Sequence, residues 1–167
     1  MKQLILIIAF IGTSILTVSA QNTIKKSEFN KTLQAYFEIK NALATDNVDL
    51  AATGAKTLEA RLKTFPVKTL TAVQQVEWKK RAIELQKALS ALAVDKELAA
   101  QRKSFGNVSY AMIKLTKSIH LNNNDVYVQY CPMVKKSWLN EVEDVQNPFY
   151  GSKMYDCGEV TDTIAKK

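Results

Sequence analysis

The sequence predicts an all-α protein, an antiparallel four-helix bundle with an irregular C-terminal tail packed on it, from three observations. Apolar residues recur at a spacing of three and four through residues 25–120, the period of a helix with one buried face. The breaks between these stretches are short, which favours antiparallel neighbours. After His120 the period disappears, and turn-forming, β-branched and aromatic residues take over.

Each helix has a local justification. The first carries Phe29, Leu33, Tyr36, Phe37 and Leu43 on one side, has Ser27 as its expected cap, and ends near Ala44-Thr45. Asp46 or Asn47 caps the second, where Val48, Ala51, Ala55, Leu58 and Leu62 follow the helical spacing. Ala51, Ala52, Gly54 and Ala55 give it a small-residue surface for close approach to a neighbour. Phe65-Pro66 stops this helix, since proline lacks an N–H and restricts the residue before it. Thr69 or Thr71 opens the third, with Trp78, Ala82, Leu85, Leu89 and Leu92 on its stripe. A break at Val94-Asp95 leads to the fourth, with Leu98, Phe105, Val108, Met112, Leu115 and Ile119. Arg102 falls on that apolar stripe and is expected to pair with an acid on another helix, Glu59 or Glu77.

The tail, residues 121–167, has no long period and must pack on the bundle. Leu121-Asn122-Asn123-Asn124-Asp125 is rich in turn residues. Val126-Tyr127-Val128-Gln129-Tyr130 is one short extended segment that delivers Cys131-Pro132. Trp138, Leu139 and Val142 suggest a single helical turn. Asn147-Pro148-Phe149-Tyr150-Gly151 is a rigid turn, because Pro148 fixes φ and Gly151 permits a positive one.

Residues 1–20 read as a signal peptide: Lys2, an apolar run from Leu4 to Leu16, and a small-residue cleavage site ending at Ala20. Its removal from 167 residues leaves 147, enough for one domain, residues 21–167. The run is short for a membrane span, so no stable anchor is expected after cleavage, and the mature chain is expected in the periplasm. The formal net charge of +7 is spread along every segment rather than clustered, so no nucleic-acid partner is expected.

Chemistry concentrates in the tail. Cys131-Pro132-Met133 and Met154-Tyr155-Asp156-Cys157 contain both cysteines and two of the chain's four methionines. Thiolates and thioethers are soft ligands that suit Cu(I) or Ag(I). In an extended chain Cys131 and Met133 point to the same side, and one helical turn places Met154 and Cys157 on one face. Cys131, Met133, Met154 and Cys157 are therefore the candidate metal ligands, with His120 as a possible nitrogen donor. The same two cysteines equally suit a Cys131–Cys157 disulfide in an exported protein, with a contribution of roughly 3–4 kcal/mol from loop closure. His120 also suits a helix C-terminus, where its charge complements the dipole. No phosphate loop, catalytic triad, CxxC pair or paired-carboxylate helix appears, and a Cys131–His120 dyad lacks an orienting partner. No enzymatic activity is expected.

The tail phrases also carry a family resemblance. Gln101-Arg102, Phe105 and Ser109, then Val126-Tyr127-Val128, Cys131-Pro132-Met133, Trp138-Leu139, Asn147-Pro148-Phe149-Tyr150-Gly151, Met154 and Cys157-Gly158 resemble domain of unknown function 3347. Tyr36-Phe37, Lys40 and Ala42-Leu43 fit it as well. The resemblance implies an exported helical domain, a form also appended to periplasmic adaptor subunits of Cus-type heavy-metal efflux systems. It implies copper or silver handling, with an efflux adaptor or another envelope protein as partner. Carried across by position, the sulfur residues are Cys131, Met133, Met154 and Cys157. This chain departs from the family pattern in Val134-Lys135-Lys136-Ser137, which is short and basic instead of Gly-rich, and in having no histidine after Met133. The alternative expectation is a non-catalytic interaction domain whose tail is held by the disulfide.

Overall fold

A computed structural model describes the chain from residue 2 and its side chains from residue 21. The leader expected over residues 1–20, with its cleavage after Ala20, falls outside the described side chains. Four helices form, α1 (Lys2–Ala44), α2 (Val48–Thr64), α3 (Ala72–Val94) and α4 (Leu98–Ile119). Ser27 lies inside α1 instead of capping it, because nothing in residues 21–26 breaks a helix. At α2 the cap is Asn47, whose side chain accepts from Leu50 N–H at 2.9 Å. Thr71 caps α3 in a reciprocal box with Gln74, satisfying donors that would otherwise be orphaned. His120 ends α4 in the left-handed region, with φ 48°, and its N–H bonds Thr116 O.

Each helix packs on the next, α1 on α2, α2 on α3 and α3 on α4. The stripe residues form the core: Phe29, Leu33, Tyr36 and Leu43 meet Leu58 and Leu62, Trp78, Leu85 and Leu89, and Phe105, Val108 and Met112. The ring of Phe65 stacks on Trp78 with centroids 3.8 Å apart, so the residue that ends α2 also seals the core. A Cβ at Gly54 would lie 2.9 Å from Ile39 Cγ1 and 3.1 Å from Ile39 N. Only glycine lets α1 and α2 approach this closely there. Among the described residues no helix is long and apolar enough to cross a membrane.

The expectation of an all-α chain needs correction, because the tail builds a small antiparallel sheet. Its strands are β1 (Val126–Cys131), β2 (Lys136–Asn140) and β3 (Glu159–Ile164), in the order β2-β1-β3. The expected helical turn at Trp138 is strand: Trp138 pairs with Gln129 and Leu139 with Val128. Residues 132–135 make the reversal, with Lys135 at φ 54°, so the hairpin carries none of the usual Asn-Gly signal. β3 pairs with the other edge of β1, Val126 facing Ile164 and Tyr130 facing Glu159. Its residues are exposed up to Ile164, so no alternation of burial marks it in the sequence.

A hydrogen-bonded circuit seats the sheet on the helices. Leu139 N–H donates to Tyr36 Oη at 3.0 Å, and Ser109 Oγ donates to Ser137 O at 2.9 Å. With its hydrogen so used, Ser109 Oγ accepts from the Tyr36 hydroxyl at 2.8 Å. Burial pushes the Tyr36 pKa up, which keeps the hydroxyl a donor. Lys40, fully buried on α1, reaches Asn140 Oδ1 at 2.6 Å, Gln146 Oε1 at 2.5 Å and Glu141 Oε2 at 3.1 Å. Burial lowers its pKa, against the pull of Glu141. This lysine ties the segment after β2 to the first helix.

Candidate functional site

Cys131 closes β1 and is fully buried, whereas Cys157 sits half-buried in the turn before β3. Pairing of Tyr130 with Glu159 brings the two chain segments side by side. Gly158 makes the final approach possible. A Cβ there would lie 2.9 Å from Tyr130 O and 3.0 Å from the Trp138 ring, and its φ is +152°. The two sulfur atoms stand 4.0 Å apart as free thiols.

Burial opposes the thiolate, but the N–H of Val134, the Asn147 side chain, the N–H of Met133 and the Cys157 thiol outweigh it and hold the Cys131 pKa below its ordinary value. Burial, the contact with Cys131 and the charge of Asp156 push the Cys157 thiol up. The pair is therefore asymmetric, with Cys131 the more readily deprotonated of the two.

The turn at Asn147–Gly151 presents the second segment. Gly151 has φ +60°, and a Cβ there would clash with Asp46 Oδ1 and the Arg102 guanidinium. Arg102 pairs with Asp46, correcting the expected partners Glu59 and Glu77, because Asp46 at the α1–α2 corner lies against the tail. Its Nε donates to Pro148 O at 2.9 Å and its Nη2 to Leu43 O at 3.0 Å. Ser152 donates to Asp46 through both Oγ and N–H. That clamp, with the Ser152 bonds first and Arg102 next, keeps the Asp46 carboxyl below the usual carboxylate range.

Of the five residues expected as ligands, the structure brings Cys131 and Cys157 together. Met133 lies on the turn after β1, not in extended chain, and is 62 % exposed. Met154 is half-buried; Cys157 N–H bonds its carbonyl at 3.2 Å, so the two close a reverse turn instead of sharing a helix face. His120 stands apart, because its Nε2 contacts Ala165 O at 2.9 Å, beyond the Ile164 end of β3. The five steps from Val126 to Cys131 span about 17 Å at the strand rise, so His120 and Cys131 mark opposite ends of the sheet. The contacts made by Asn147 with Cys157 O, by Gly158 with Tyr130 O and by Asp46 with Ser152 are ones that sequence reasoning missed. Asn147 was legible as a turn residue, but nothing in its spacing pointed to the sulfurs.

The sulfur–sulfur gap can be compared with the two bonding arrangements open to a thiol pair. Two metal–thiolate bonds of about 2.3 Å span about 3.8 Å at the tetrahedral angle and about 4.6 Å in line, a range that includes the observed gap. Among the described residues no group of three or more histidine, cysteine or acidic side chains gathers as a metal cluster. A disulfide at about 2.05 Å requires the sulfurs to close by about 2 Å.

The family model for a protein of unknown function (DUF3347) matches residues 32–124. That span takes in the C-terminal third of α1 and the other three helices, and stops before Cys131. No curated protein and no solved structure matches the chain.

Proposed function

We propose that this chain, which belongs to the DUF3347 family of proteins of unknown function, is an exported, non-enzymatic protein that binds a soft metal ion, Cu(I) or Ag(I), through Cys131 and Cys157. The observation that supports this reading is the 4.0 Å separation of two free thiols, one of which has its pKa held below the ordinary thiol value. A thiolate is the form that ligates, so lowering its pKa lowers the proton competition against metal. Met133, exposed on the rim, and Met154 in the adjoining turn offer thioethers to an arriving ion. In this reading the protein works in the periplasm in copper or silver handling and passes its ion to an efflux adaptor or another envelope partner. The resemblance to domains appended to Cus-type adaptors supports that placement.

The second reading, a non-catalytic interaction domain with a Cys131–Cys157 disulfide, draws on the same adjacency. The two part under anaerobic Cu(I) titration of the reduced protein against a chromophoric chelator. The metal reading expects one tight equivalent, lost in Cys131→Ser and in Cys157→Ser. It expects affinity to fall about tenfold in Met133→Ala/Met154→Ala, the size of one modest ligand contribution. Failure of the reduced wild type to bind Cu(I) leaves the disulfide domain as the better account.

A further inference from the structure

We propose that Asn147 is the positioning residue of the sulfur pair, a single buried amide that holds the Cys157 segment against Cys131. Asn147 is wholly buried, and a buried amide needs all of its polar capacity matched. Its Oδ1 accepts from Phe149 N–H at 2.8 Å and Tyr150 N–H at 3.2 Å, which shapes the turn. Its Nδ2 donates to Cys157 O at 2.7 Å, and the amide helps to hold the Cys131 pKa below its ordinary value. Its backbone extends the clasp: Asn147 N–H donates to Tyr155 O at 2.7 Å, and Gly151 N–H donates to Asn147 O at 3.0 Å. Two backbone N–H groups on one side and a carbonyl on the other fix which end of the amide is oxygen. One side chain thus joins the turn to the carbonyl of Cys157, whose sulfur stands 4.0 Å from that of Cys131.

Aspartate at this position keeps both acceptor bonds but has no hydrogen for Cys157 O. Turn and pair are thereby separable. The inference rests on Cys131 and Cys157 acting as a ligand pair, but its test uses no copper. Phenylarsine oxide is captured tightly only by two thiols that converge on one arsenic atom. Reduced wild type is expected to capture it one to one, with Cys157→Ser setting the single-thiol floor. Asn147→Asp is expected to weaken capture at least tenfold while helical circular dichroism and reaction of each thiol with a monofunctional reagent persist. Asn147→Ser, whose hydroxyl still accepts from Phe149 N–H, serves if the aspartate variant does not fold. Wild-type capture by either folded variant overturns the proposal. So does loss of the helical signal in both, since the amide would then serve the whole fold. If wild type captures arsenic but refuses Cu(I), the metal reading alone fails.

Discussion

In α3, Trp78, Leu85, Leu89 and Leu92 are buried at helical spacing and touch other apolar side chains. In the tail the buried residues include Asn122, Gln129, Asn140 and Asn147, whose amides bond backbone carbonyls. Gln129 Nε2 reaches Glu143 O at 2.9 Å and Asp144 O at 3.1 Å, and Asn122 Nδ2 reaches Ile164 O at 3.0 Å. The difference follows from backbone bookkeeping. Helices satisfy their own N–H and C=O groups, so their side chains are free to be apolar. An irregular segment leaves carbonyls without ladder partners, and a buried one needs side-chain donors to supply them. The contacts between helices are therefore mostly non-directional burial, whereas the tail adds directional bonds from buried amides to its apolar contacts.

Three substitutions break or sharpen this contrast. Leu89→Ala removes a fully buried side chain from the body and is expected to cost about 2–5 kcal/mol in urea denaturation. Native Leu89→Ala should still capture phenylarsine oxide as wild type does, and impaired capture would mean that the two regions are not separable. Gly151→Ala forces a left-handed residue against Asp46 and Arg102, with an expected cost of about 1–3 kcal/mol. Here the smaller stability loss should accompany weaker dithiol capture, the reverse of the Leu89 pattern.

Asp46→Asn is expected to have the smallest effect, seen in pH dependence. Ser152, and then Arg102, lower the folded-state pKa of Asp46, so the unfolded chain binds the proton more readily. The stability it contributes is present above the unfolded carboxylate value near about 4 and is lost as pH falls through the lowered folded value. The drop in urea midpoint between about pH 6 and about pH 3 should therefore shrink in Asp46→Asn. An unchanged acid drop would remove the clamp from the forces that hold the tail.

Particular residues show how much was legible in advance. Asn47, Thr71, Pro66 and the Val94-Asp95 break mark helix ends because caps and prolines act on their own neighbours. The extended segment ending at Cys131 and the positive φ of Gly151 followed from local preference too. Trp138 was misread as helical because its strand exists only through pairing with Gln129. The partner of Arg102 was misassigned because Asp46 approaches it from the far corner of α1, which no periodicity encodes.

At the candidate site the sequence alone determined the chemistry on offer: two cysteines and two methionines in two short phrases. Residue identity is sufficient for that, since ligand softness is a property of the atoms. Only the tertiary structure decided which sulfurs meet. It placed Cys131 and Cys157 4.0 Å apart, put Met133 in solvent and set His120 at the other end of the sheet. Those placements depend on strand register, on the approach allowed by Gly158 and on the Asn147 amide, which act between residues distant in the chain.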